Sequence, residues 1–90
     1  MTSTYFGLLA EFNGRAQLPL EDVAPRYFGI NVKTAGARAL TQRLPVPAYR
    51  AVKSQKAPWF VNAMDLADYL DQRREEAYRE WQMAQGEIPA

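Results

Sequence analysis

Apolar residues recur at helical spacing near the start of the chain. Tyr5, Leu8, Leu9 and Phe12 fall at i, i+3, i+4 and i+7, which predicts a helix over 5–13 with one buried face. Ser3 or Thr4 is placed to cap its start, and Asn13-Gly14 supplies the left-handed residue that commonly ends a helix. Ala16-Gln17-Leu18 is a short extended piece leading into a second helix. There Pro19 is tolerated in the first turn, and Glu21 and Asp22 complement the positive end of the helix dipole. Leu20, Val23, Ala24 and Tyr27 form its buried face. Pro25 lies beyond the first turn, where a proline removes a ladder hydrogen bond, so this helix is expected to be short or irregular.

Phe28-Gly29-Ile30-Asn31 has the composition of a sharp corner, with Gly29 free to take positive φ and Asn31 an N-cap for a third helix. That helix is predicted over 32–43, with Val32, Ala35, Ala39 and Leu40 inward and Lys33, Thr34, Ala37, Arg38 and Thr41 outward. Gly36 in its interior costs about 1 kcal/mol, so tertiary packing has to hold the segment. Leu44-Pro45 is expected to end it.

A hairpin follows over 46–61, with strands at Val46–Val52 and Pro58–Val61 joined by KSQKA, and Pro45, Pro47 and Pro58 keep it at a sheet edge. Trp59 and Phe60 alternate, so one faces the core and the other faces out. Tyr27 and Phe28 are assigned to the core. Asn62, with Asp65 in a variant of the capping box, opens a long helix over 63–84. Its stripe is Leu66, Tyr69, Leu70, Arg73, Ala77, Trp81 and Ala84, and Gly86 and Pro89 end it. The expected fold is therefore α+β and mostly helical: one domain over 1–90, a small winged helix–turn–helix spanning 19–43, a two-stranded wing and a long C-terminal helix.

Composition narrows the chemistry. Histidine and cysteine are both absent, which removes the usual general base near neutral pH, thiolate nucleophiles, disulfides and the commonest zinc ligands. The five glycines are isolated and form no phosphate loop. No enzyme, no cofactor, no metal and no small-molecule substrate is expected. No apolar run approaches the roughly 18 residues needed to cross a bilayer, and the N-terminus lacks a basic region before its apolar stretch, so no membrane association is expected, and the absence of cysteine fits a reducing cytoplasm.

The net charge of +1 conceals a polarity. Arg15, Arg26, Lys33, Arg38, Arg43, Arg50, Lys53 and Lys56 face only Glu21 and Asp22 in that stretch, a balance of +6. From residue 57 onward three arginines face seven carboxylates, a balance of −4. A basic middle suits the phosphates of double-stranded DNA. In the third helix Arg38 can make a bidentate contact to guanine, Gln42 can contact adenine, and Lys33 and Thr34 can hold phosphates. Lys53, Ser54, Gln55 and Lys56 form the wing tip, directed at the backbone or minor groove. Arg43 and Arg50 either touch phosphates or buttress the wing. Each of these residues has a plainer reading as a solvated surface.

The pieces TYFGLLAEFNG, LPLEDVAPRYFG, RLPVPAYR, SQKAPWFV and DLADYLDQRR occur in an order that resembles the pyocin activator protein family (PrtN-like), over roughly residues 4–74. More distantly, the same frame is similar to phage excisionases and Cox-type repressors. The resemblance implies DNA binding and transcriptional activation of bacteriocin or phage-tail genes, with RNA polymerase a further candidate partner.

One small domain covers few base pairs, so a homo-oligomer on DNA is expected, as a symmetric dimer or as copies side by side. Tyr78 and Trp81 lie beyond the point where the core should be complete, and are the candidate oligomerisation residues. The plainer alternative folds the helix back so that Trp81 caps the first helix. Two other functions compete with activation. One is an excisionase-like factor that bends DNA. The other is a phage-encoded adaptor that binds a host protein through Trp59, Tyr78 and Trp81.

Overall fold

The computed structural model describes residues 2–86; the expected role of Pro89 lies outside them. The chain forms α1 (Ser3–Glu11), β1 (Gln17–Pro19), α2 (Leu20–Val23), a π-helical turn (Ala24–Phe28), α3 (Val32–Leu40), β2 (Ala48–Arg50), β3 (Trp59–Asn62) and α4 (Ala63–Ala84). This is an α+β, mostly helical winged helix–turn–helix with a long C-terminal helix.

Helix α1 is capped by Thr2, ahead of both expected caps: its hydroxyl accepts from the Tyr5 amide at 3.2 Å. It ends as expected, with Asn13 and Gly14 at φ 58° and 80° and the Gly14 amide returning to the Leu9 carbonyl. Leu8 is buried, while Tyr5, Leu9 and Phe12 are half-buried against the core. The first turn of α1 is tied to α4 by a 2.6 Å hydrogen bond from the Thr4 hydroxyl to Asp71.

The irregularity expected at Pro25 takes a definite form. Proline cannot donate to the carbonyl four residues back and its ring crowds that carbonyl, so the backbone widens. The Gly29 amide reaches the Ala24 carbonyl five residues back, with Gly29 itself at φ 67°. This wide turn is tethered to the end of α1, since the Tyr27 hydroxyl donates to Glu11 at 2.6 Å and Arg26 lies 3.4 Å from the same carboxylate. Burial foremost, and then the bond to Glu11, raise the Tyr27 phenol above its ordinary pKa. Pro19 does not occupy the first helical turn; it closes β1 and precedes α2 in extended conformation.

The sheet holds more than the hairpin. Its order is β1–β3–β2, all antiparallel, so the extended piece at Leu18 joins as a third strand. Only β2 and β1 are edges, and β3 is central, with Pro58 just ahead of it rather than within it. The first hairpin strand is shorter than expected and the second is shifted by one residue, because the ladder reaches only Arg50↔Trp59, leaving 51–58 as a loop. Leu18, Val61 and Ala48 share one register line and are buried, placing Trp59 on the core side and Phe60 on the other. Both rings are half-buried, and Phe60 lies beside Tyr49 with centroids 6.2 Å apart.

Val23, Ala24, Ala35, Ala39, Ala63 and Leu66 fill the space between this sheet face and the helices. Tyr27 and Phe28 pack at its margin half-buried, and Phe28 meets Tyr69 edge-to-face. Helix α4 begins where expected. The Asn62 side chain caps the Met64 amide at 2.8 Å, one position earlier than a capping box through Asp65 requires. At about 1.5 Å per residue α4 is about 33 Å long, the main reason the molecule extends to 54 Å in one direction.

Candidate nucleic-acid interface

Helix α3 is held by small residues and by its two ends. Ala35 and Ala39 are fully buried, and their size lets α3 approach the core closely. At the start, Asn31 Oδ1 accepts from the Thr34 amide at 2.8 Å, as the sequence implied. At the other end the helix stops at Leu40, before the proline expected to terminate it. Gln42 turns left-handed at φ 54°, the Gln42 amide returns to the Ala39 carbonyl and the Arg43 amide to the Arg38 carbonyl. These bonds satisfy carbonyls that the last turn leaves open.

The turning residue also fixes the next element. Gln42 Nε2 donates to the Ala48 carbonyl at 3.1 Å, so the end of α3 is bonded to the start of β2. Gln42 therefore lies beyond the helix, with its amide donor engaged. Lys33 and Arg38 are exposed on α3, Thr34 is half-buried, and Arg43 is exposed just past it. Val32 and Leu40, expected to face inward, are 50% and 67% exposed. With Ala35 and Ala39 already against the core, the helix is too close to admit larger side chains beside them, and Val32 and Leu40 fall outside that contact. Periodicity cannot reveal this, because small and large apolar residues count alike in it.

The loop 51–58 holds itself together through short-range bonds: the Ser54 amide to the Val52 carbonyl, the Ala57 amide to the Ser54 carbonyl, and the Lys56 amide to Ser54 Oγ at 3.2 Å. Lys53, Ser54, Gln55 and Lys56 are all exposed. Arg50 is not exposed with them. Its guanidinium lies over the Trp59 ring at 4.2 Å, Nη2 donates to the Gln55 carbonyl at 3.3 Å, and Nε is buried with no hydrogen-bond partner. Of the two roles open to Arg50, the geometry is that of a buttress: a cation on an aromatic face, bracing the loop it points into. The signal was the cross-strand register, which sets Arg50 directly opposite Trp59.

Gln42, Arg50, Lys53, Ser54 and Gln55 line one open cleft between the end of α3 and the loop. The exposed cations Lys33, Arg38, Arg43, Lys53 and Lys56 form no ion pair among the described residues, and the sequence holds no carboxylate from 23 to 64. These five side chains are therefore exposed cations with no carboxylate bonded to them among the described residues.

The proposed oligomerisation residues lie elsewhere. Tyr78 and Trp81 are 49% and 50% exposed with ring centroids 5.7 Å apart, so Trp81 does not cap α1. The half-buried Asp71 is where α4 leaves the core. Among the described residues no helix is long and apolar enough to cross a membrane.

Comparison with known proteins is informative at one level. The model of the family described as pyocin activator protein PrtN matches residues 4–77. No curated protein and no solved structure matches the chain.

Proposed function

The chain belongs to the pyocin activator protein family, and from that premise we propose that it is a sequence-specific double-stranded DNA-binding regulator that activates bacteriocin or prophage genes. One observation carries the reading. Gln42, just past α3, and Lys53, Ser54 and Gln55 of the loop 51–58 line a common cleft, and the exposed cations of α3, its end and the loop are unpaired among the described residues. Helix α3 enters the major groove and the loop grips the neighbouring backbone or minor groove.

Roles follow from placement. Arg38, exposed in the last turn of α3, contacts guanine, and Lys33 and Arg43 contact phosphates near either end of the helix. Lys53 and Lys56 hold phosphates from the loop, with Ser54 and Gln55 presented between them. Val32 and Leu40 are apolar and exposed on the same short helix, and suit thymine methyl groups. Gln42 and Arg50 act from behind: one bonds α3 to β2, the other braces the loop.

The test is a gel-shift titration on DNA flanking the chain's own gene, with excess competitor DNA and with Arg38→Ala in parallel. Discrete complexes that resist competitor, and that weaken by about 10-fold or more with the substitution, support the reading. Smears that competitor removes equally for both proteins reduce it to nonspecific charge attraction. Strong bending of the bound fragment would favour the excisionase-like function over activation.

A further inference from the structure

The second half of α4 is a helix that the fold does not use. From Gln72 to Ala84 every residue except the half-buried Gln82 is exposed, including Tyr78, Trp81 and Met83. A free helix of this length is marginal in water, and it persists here because the buried first half has already nucleated it. Two ion pairs add a little: Arg73–Glu76 at 2.8 Å and Glu75–Arg79 at 3.7 Å, both well exposed. Neither accounts for a tryptophan in water.

Helical spacing places Arg73, Ala77, Glu80, Trp81 and Ala84 along one side of the overhang. Ala77 and Ala84 are small enough for a second helix backbone to come close, and Trp81 supplies apolar area between them. Charge then selects the occupant. Arg73 and Glu80 are seven residues apart, two turns, and so share one edge of this stripe. Their midpoint falls beside Ala77. If the stripe meets its own copy running antiparallel about Ala77, each Arg73, whose Nη1 holds Glu76 at 2.8 Å, turns its remaining donors to the partner's Glu80, and the contact occurs twice by symmetry. The pair Glu75–Arg79 lies on the opposite face and stays in solvent. The overhang carries three arginines and three glutamates over 72–84, so two copies carry no net repulsion.

We propose that this overhang is a homodimerisation helix, pairing antiparallel with a second copy of the chain about a two-fold axis at Ala77, and doing so without DNA. The two Ala77 residues meet at the axis, Trp81 packs on the aliphatic stem of the partner's Arg73, Arg73 and Glu80 close one edge, and Tyr78, beside Trp81, covers the other. The inference does not depend on the DNA-binding reading, because nothing from α3 or the loop 51–58 enters it.

The test is sedimentation equilibrium of the full chain without DNA, for the wild type, Arg73→Glu, Glu80→Arg and the two combined. The expected result is a concentration-dependent dimer that each single reversal weakens by about 10-fold or more, through like charges facing across the axis. The combined variant restores it, because the reversed charges meet again across the antiparallel pair. Circular dichroism of each variant confirms that the helix is retained. A wild-type monomer at all concentrations overturns the proposal in favour of a different protein as occupant. A dimer indifferent to both reversals, or unrestored by the combination, overturns it by placing the interface elsewhere. A covalent dimer from oxidised Ala77→Cys but not from Glu75→Cys supports the same register by a measurement that does not depend on affinity.

Discussion

Two parts of this molecule are exposed on helices that the core leaves uncovered, and they differ in charge pattern. The outer face of α3 and the loop after it carry cations with no carboxylate near them in sequence and no ion pair among the described residues. The overhang of α4 carries equal numbers of both signs, two of each paired along the helix, around two adjacent aromatic rings. Exposed cations without ion-pair partners suit a polyanion, whereas a charge-balanced stripe with an exposed aromatic pair suits another protein helix. One chain of 90 residues thus offers two uncovered surfaces, each suited to a partner the other does not fit.

Disturbing the core should disable both surfaces, and by the largest amount. Leu66 is fully buried in the first half of α4, so Leu66→Ala should cost about 2–5 kcal/mol in urea or thermal unfolding. Tyr78→Ala, twelve residues further along the same helix, should change monomer stability by no more than about 0.5 kcal/mol. Equal losses would mean that the overhang packs back onto the domain.

Removing the Arg38 guanidinium should cost about 1–3 kcal/mol in site-specific DNA binding and nothing in self-association. Sedimentation and gel shifts on the same preparation separate the two. Asn31→Ala removes the cap that starts α3 and should lower stability by about 1 kcal/mol. Gly36→Ala should act in the opposite direction, raising stability by up to about 1 kcal/mol. A methyl group there meets nothing within 4 Å, and the helix gains propensity.

The smallest effect concerns Tyr27. Its phenol is raised in the folded state, so the associated stability is present below the ordinary tyrosine pKa of about 10 and is lost as pH rises through the shifted value. Tyr27→Phe should flatten the alkaline limb of the stability–pH profile and leave neutral pH within about 1 kcal/mol. An unchanged limb would mean that neither the burial of the phenol nor its bond to Glu11 contributes.

Much of this arrangement was legible in the amino-acid sequence. The span of α4, the corner at Gly29, the cap at Asn31 and the left-handed pair Asn13-Gly14 each rest on local chemistry and appear where that chemistry places them. The wide turn at Pro25 was legible as trouble but not as a π-helical turn, since which bond replaces the missing one depends on the neighbours. Pairing was less accessible. The third strand at Leu18 is only three residues long and gains its identity from Val61, far along the chain. The exposure of Val32 and Leu40 was hidden because the pattern of apolar residues does not record how closely two alanines let a helix approach. In the candidate site, the exposed cations were legible individually. The role of Arg50 came from a cross-strand partner, and that of Gln42 from a backbone carbonyl in another element.

The most direct test of the two-surface account is an amide NMR titration of the isotopically labelled chain with duplex DNA carrying its own promoter sequence. Shifts confined to 31–43 and 51–57, with 72–84 unmoved, are the expected result. Shifts centred on 72–84, or an unperturbed α3 under saturating DNA, would contradict the account.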